Sequence, residues 1–298
     1  MKPVFCLAHL SDPHLSQPRL ATPLDIANKR VLGYLSWNLR RRHEHRASVL
    51  AALCRDIEKH SPDHTVITGD LTQIGLPDEF RQVRAWLENL GSPEDITLIP
   101  GNHDRYVAAP SQDTLSLWRP YYQSDQRGDD FPSLRIRGPL AIIGTNSSPP
   151  TAPFLATGEI GPDQCQRLAE RLHSSRDRFR VMLIHHPPHP EATKRRKRLI
   201  DAARVVQVLK SHGCGLVLHG HSHHWQLHWL PGPHCPIPLI GVPSASAVGR
   251  RRGYRARYHL YRFHPGAEKW RIEVEIRGFD PEENGFIQEG RFDLASPG

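Results

Sequence analysis

No run of about 18 apolar residues occurs in this sequence, so no transmembrane helix is expected. The opening residues, MKPVFCLAHLSDPH, lack the long apolar stretch and small-residue cleavage site of a signal peptide, and a cytoplasmic protein is the expectation. Cysteine is sparse. Cys6, Cys54, Cys165, Cys214 and Cys235 are scattered, odd in number and never spaced as CxxC, which argues against a disulfide framework and a cysteine-based zinc site. There is no internal repeat, heptad seam or low-complexity tail, and no cap-domain or RNA-binding signature. What remains is an ordinary globular composition: 298 residues, 38% hydrophobic and 23% charged, enough to bury a sizeable core. Two quantities depart from the ordinary. A formal charge of +8 favours anionic partners such as nucleotides, nucleic acid or acidic lipid, and 20 histidines exceed the usual share.

Short apolar runs alternate with helical periodicity. Strands are expected over 4–10, 64–68, 95–99, 180–184 and 216–218. Helices are expected over 47–59, from Pro77 onward, over 162–172 and over 199–210. Later runs at 225–230, 237–242, 257–263 and 269–276 read as mostly antiparallel strands, the last two paired across His264-Pro265-Gly266. Alternation first and strand-rich sequence later predicts a layered α/β architecture in one domain spanning 1–298.

Five polar clusters sit where expected strands end: Asp12-Pro13-His14, Gly69-Asp70, Gly101-Asn102-His103-Asp104, His185-His186-Pro187 and Gly220-His221-Ser222-His223. Ligands collect outside the carboxyl ends of strands in open α/β sheets, so these clusters can converge. Asp12 and His14 lie two apart and point the same way if locally extended, and His221 and His223 repeat that spacing. Asp70 follows a glycine and is free to bridge two ions. Carboxylates mixed with imidazoles suit borderline ions such as Mn, Fe or Zn better than Ca. Two ions about 3.5–4 Å apart clamp a phosphate and acidify a bound water. Taken alone, any of these residues has an everyday reading: Asp12 as a turn residue, Asn102 as turn chemistry, a histidine as surface or core.

D-x-H, G-D, G-N-H-D, H-H-P and G-H-x-H, in this order over roughly residues 4–225, resemble the calcineurin-like metallophosphoesterase family. The resemblance implies a four-layer α-β-β-α sandwich with two mixed β-sheets, the metallo-dependent phosphatase fold. It implies one ion on Asp12, His14, Asp70 and His223, and a second on Asp70, Asn102, His185 and His221. His103 would meet substrate rather than metal, and Asp104 would support the His103 ring from behind. Family position favours His185 over its neighbour, leaving His186 to face the pocket or the packing. His189, His219, His224 and His228 stay outside the ligand set.

Residues 16–45 separate the first two motifs by more than a compact member needs. They carry Leu32, Tyr34, Leu35, Trp37 and Leu39, then Arg40-Arg41-Arg42-His43. This basic, aromatic insertion suits a lid, an interfacial helix on acidic lipid, phosphate contacts to nucleic acid, or a solvated insertion that packs its tryptophan. Two further basic runs, Lys194 to Arg198 and Arg250 to Arg252, flank metal motifs and either line the entrance or form solvated surface. The reading that follows is a phosphodiesterase for a small anionic phosphate ester, with cyclic nucleotides or glycerophosphodiesters first. A pyrophosphatase acting on a nucleotide-linked lipid at the inner membrane face comes second. A nuclease is supported by net charge alone. A non-catalytic scaffold is opposed by the complete ligand set.

Overall fold

The computed structural model describes residues 4–15, 17–18, 29–108, 114–126, 131–249, 252–266 and 269–296. Most of the first half of the insertion, and Arg250 with Arg251, lie outside the described residues.

In chain order the elements are β1 (Phe5–Leu10), α1 (Arg30–Ser36), a π-helical turn (Trp37–Arg41), α2 (Arg42–Glu44), α3 (Ala47–His60), β2 (His64–Ile67), α4 (Pro77–Leu90) and β3 (Ile96–Leu98). Then come α5 (Arg119–Tyr122), β4 (Ser133–Arg137), β5 (Leu140–Gly144), α6 (Pro162–Ser174), β6 (Phe179–Ile184), α7 (Ala202–His212) and β7 (Leu216–His219). The chain closes with β8 (Gln226–Leu230), β9 (Ile237–Gly241), β10 (Arg257–His264), β11 (Trp270–Asp280) and β12 (Gly285–Ser296).

Two six-stranded mixed sheets form, ordered β12-β11-β10-β1-β2-β3 and β4-β5-β6-β7-β9-β8. Strand side chains alternate between faces, and that alternation builds three buried layers. Leu7, Val66 and Phe263 from the first sheet meet Ile142, Val181 and Leu218 from the second. Ala8, Leu10 and Ile67 turn the other way, onto Leu50 and Leu53 of α3 and Phe80 and Val83 of α4. Met182, Ile184 and Val217 turn outward onto Leu168 of α6 and Val205 and Leu209 of α7. Helix, sheet, sheet, helix is the four-layer α/β sandwich that the motifs implied. Among the described residues no helix is long and apolar enough to cross a membrane.

Three expectations change. The β4–β5 hairpin escaped the sequence reading because Arg135 interrupts its apolar run. That guanidinium is buried by donating to the carbonyls of Ile96, Tyr121 and Pro93. β12 escaped because it is an edge strand whose apolar positions are broken up by Gln288, Glu289, Arg291 and Asp293. β9 is antiparallel to β8 but runs parallel to β7, so the later strands are less uniformly antiparallel than expected.

Several of the many histidines serve the core strands. His9 meets Thr68 Oγ1 at 2.9 Å, His64 meets Thr97 Oγ1 at 2.8 Å and His259 meets the Tyr261 hydroxyl at 3.2 Å. Burial holds all three neutral. His64 and His259 are pushed down to about 3, and His9 well below its usual range. An unfolded histidine binds its proton near pH 6.5. Stability from these rings is therefore complete above that pH and is lost as pH falls from about 6.5 toward about 3. Each is expected to remove about 1.4 kcal/mol per pH unit across that window. Urea unfolding at pH 7.5 and 5.5 should show a large drop, and His64→Gln should flatten it. Equal midpoints at both pH values would refute this account.

Candidate metal centre

The parallel strands β1, β2 and β3 end side by side, as do β6 and β7 across the sandwich. All five polar clusters leave from those ends. Among the described residues, eight non-glycine positions adopt positive φ, and five of them are Asp12, His14, Asp70, His221 and His223, at 41 to 68°. Such left-handed backbone costs energy and concentrates where function over-determines it. It arises here because each turn must reverse within one or two residues to aim a side chain back across the strand ends.

A first donor set forms around His14. Donor atoms of Asp12, His14, Asp70 and His223 all lie within 4.8 Å of one another. Asp12 Oδ1 is 3.1 Å from His223 Nε2, and His14 Nε2 lies 4.0 Å from both Asp12 Oδ1 and Asp70 Oδ2. Asp12 Oδ2 is spoken for, accepting from Ser11 Oγ at 2.7 Å and from the His221 amide at 3.0 Å. Asp12 Oδ1 is buried with no hydrogen-bond partner among the described residues. A buried, orphaned carboxylate oxygen facing imidazoles fits a cation.

The second set lies on the other side of Asp70. His185 Nε2 is 3.4 Å from Asp70 Oδ2 and 3.2 Å from Asn102 Oδ1, while its Nδ1 donates to Thr68 O at 2.6 Å. His221 lies beside His185, with ring centres 5.0 Å apart. The geometry therefore puts His185 against Asp70 and Asn102. His186 turns its Nδ1 to Ser147 Oγ at 2.9 Å and packs on His221. Asp70 Oδ2 thus faces imidazoles of both sets.

The charges agree. Burial alone would raise the Asp70 carboxyl, but His185, His103 and His14 outweigh it and hold it well below the usual range. Burial likewise opposes a charge on His185, yet Asp70 lifts it to about 9. Burial holds His14, His45, His103 and His221 below their usual range, so these rings stay neutral, the form in which imidazole binds a cation, while Asp70 stays a carboxylate.

His103 donates its Nδ1–H to Gln73 O at 2.5 Å, since two acceptors would not approach so closely. Its Nε2 is thereby the atom left for a reacting group. Asp104 differs from expectation: it does not hold the His103 ring. Its carboxylate accepts from the amides of Leu71, Thr72 and Gly101 and from the Thr72 hydroxyl, at 2.8–3.0 Å. It ties the Asp70 loop to the Gly101 turn and so acts on the site through the backbone. Burial and the Asp70 charge push Asp104 up to about 7 against those donors.

Two residues were read only as part of the basic insertion, not as site residues. Arg41 sets its guanidinium 3.2 Å from Gln73 O and 3.0 Å from the His103 ring. His45 lies 4.5 Å from His14, ring centre to ring centre. The described part of the insertion, from Lys29 to His45, is pinned at both ends. Arg30 donates to Ile74 O and Gly75 O at 3.1 and 2.5 Å, Lys29 donates to Thr151 O at 2.8 Å, and the amides of Val248 and Gly249 donate to Glu44. It forms one wall of a cavity of about 530 Å³, where Arg40, Arg41 and Lys197 face His14, His103 and His223.

The match to known proteins agrees with this arrangement. Residues 7–225 fit the calcineurin-like phosphoesterase family model, and the chain belongs to that family. It is 30% identical over 176 residues to a probable cyclic nucleotide phosphodiesterase of Synechococcus sp., covering 58% of this chain and 62% of that one. It is 27% identical over 189 residues to the glycerophosphodiester phosphodiesterase GpdQ of Enterobacter lignolyticus, covering 62% and 57%. The aligned part spans less than two thirds of either relative. A dimetal phosphatase from Danio rerio shares the fold, with a TM-score of 0.67 at 16% identity and 99% coverage of both chains.

One glycine tests the geometry. A Cβ at Gly101 would overlap the Asp70 carboxylate and amide. Gly101→Ala is expected to weaken cobalt uptake by at least about tenfold while circular dichroism stays native. Unchanged uptake would mean that Asp70 is not a ligand.

Proposed function

We propose that this chain is a binuclear metal-dependent hydrolase of small phosphodiesters, working as one domain over residues 1–298. The observation that carries the reading is Asp70 Oδ2, placed between a His14 set and a His185 set at 4.0 and 3.4 Å. Asp12, His14, Asp70 and His223 hold one ion, and Asp70, Asn102, His185 and His221 hold the other, each Mn, Fe or Zn. Such a pair supplies Lewis-acid polarisation of a phosphate and an acidified water.

The chain's own residues do the rest. His103, its Nδ1 proton fixed on Gln73 O, presents Nε2 to the leaving-group side of the phosphorus. Arg41 and Lys197 give the cavity wall positive charge, which attracts an anionic ester and offsets charge at its non-bridging oxygens. The names of the relatives support cyclic nucleotides or glycerophosphodiesters as the substrate class.

A second reading is favoured by a specific surface feature. Val31, Leu35 and Leu39 recur every four residues along the insertion and are 39%, 50% and 72% exposed. Beside Arg40 and Arg42, this stripe suits a peripheral contact with anionic lipid at the inner membrane face, and with it a pyrophosphatase acting on a nucleotide-linked lipid.

Two measurements test these readings. With Mn loaded, the protein is expected to hydrolyse bis(p-nitrophenyl) phosphate, and Asp70→Ala to lose at least about a hundredfold in rate. Equal rates would end the first reading. Wild type should float with liposomes containing anionic lipid, and Leu35→Asp with Leu39→Asp should not. Absence of wild-type flotation removes the second.

A further inference from the structure

We propose that His45, delivered by the insertion, is a further protein ligand of the ion held by Asp12, His14, Asp70 and His223. The proposal rests on the binuclear reading above and adds a residue to it.

Three observations converge. The first is position. Donor atoms of His14, His45 and His223 lie within 4.8 Å of one another, and two of the three, His14 and His223, also belong to the set with Asp12 and Asp70, so His45 adjoins that set at its imidazole edge. Donors on one ion bound at about 2.1 Å lie at most about 4.2 Å apart, so His45 reaches the ion by a small closing movement of its ring. The three rings surround a common point, with centres 4.5 Å (His14 to His45), 5.2 Å (His14 to His223) and 5.9 Å (His45 to His223) apart.

The second is protonation by hydrogen bonding. His45 Nδ1 lies 2.9 Å from Ser246 Oγ and 3.2 Å from Ser244 Oγ. Ser244 has one hydroxyl proton, and it goes to Asp12 O at 2.6 Å. Toward His45 that hydroxyl can only accept, which favours the proton on Nδ1. Nε2 then keeps its lone pair, the form in which a histidine binds metal. The same serine that fixes the His45 tautomer also holds the backbone of Asp12.

The third is immobilisation. His45 pairs antiparallel with Ala247, the Arg46 amide donates to Ser246 O at 2.9 Å, and the Val248 amide donates to Glu44 O at 2.9 Å. A ring merely filling space at a pocket rim would not need this clamp. A ligand does, because affinity depends on preorganised donors.

The consequence is an asymmetric pair. One ion gains three imidazoles and two carboxylates. The other has Asp70, the weaker donor Asn102 and two imidazoles. The first site should therefore bind more tightly, and imidazole-rich coordination should favour Co, Zn or Fe over Mn there.

Cobalt titration of the apo full-length chain, followed by visible absorption and by metal content after gel filtration, tests this without an activity readout. Wild type is expected to fill a tight and a weak site in sequence. His45→Gln, which keeps much of the side-chain volume, should weaken the tight phase at least tenfold, alter its absorption and leave the weak phase in place. Ser246→Ala, which loosens the Nδ1 anchor but keeps the imidazole, should produce a smaller shift in the same phase. Native circular dichroism for both variants separates ligand loss from misfolding. If wild type takes up two ions and both variants bind with the wild-type constants and spectrum, His45 is no ligand and the binuclear reading stands without it. If wild type takes up no cobalt, both readings fall together.

Discussion

A carboxylate buried between imidazoles is the constraint on which the rest of this molecule turns. Asp70 is 1% exposed and sits in a left-handed conformation at φ 57°. Burying a carboxylate costs several kcal/mol unless charge or hydrogen bonds compensate. The His103 amide donates to Oδ1 at 2.7 Å, and His185 approaches Oδ2 at 3.4 Å. Gly101 supplies the clearance that any side chain would remove. Gly101 and the His103 amide follow β3 of one sheet and His185 follows β6 of the other, so the electrostatic solution at Asp70 exists only when both sheets are stacked in register.

That dependence explains why the core is arranged as it is. Strands buried on both faces leave few polar side chains to solve local problems, and the buried histidines are a partial exception. His9, His64 and His259 bond to hydroxyls on the same or neighbouring strands and stay neutral. His14 and His185 sit at the same depth but face the Asp70 carboxylate. Chemistry that is alike residue by residue thus divides by what the second ring nitrogen meets: among core strands it is packed away, and at the strand ends it is turned toward the Asp12 and Asp70 cluster. Asp104 follows the same logic. Its oxygens are consumed by backbone amides of two loops, so it braces the turn rather than the ring it was expected to orient.

Much of this was legible in the sequence, for identifiable reasons. The five clusters each follow an apolar run, and α3 and α4 bury the faces that periodicity marks, with Leu50, Leu53, Phe80 and Val83 inward. The β4–β5 hairpin was not legible, since Arg135 is satisfied by carbonyls from distant loops and no local pattern encodes that. His185 could be told from His186 by family position, but the physical basis is tertiary: Asn102 and Asp70 on one ring, Ser147 on the other. Arg41 and His45 were visible only as members of a basic stretch. Their targets lie 62 residues along the chain at His103 and about 200 residues along at Ser246.

The described part of the insertion, from Lys29 to His45, is therefore better understood as a wall than as a flap. A flap needs a free end, and this segment is fastened at Ile74 and Gly75 by Arg30, at Thr151 by Lys29, and at residues 246–249 by the stretch around Glu44 and His45. Fastening has a chemical consequence. The same few residues that place Arg41 against Gln73 and His103 also place His45 beside His14, so the charge of the substrate wall and the environment of one donor set cannot vary independently. Its outward stripe of Val31, Leu35 and Leu39 lies on this same fastened segment. A partner seated on that stripe would therefore lie beside the wall that carries Arg41 and His45.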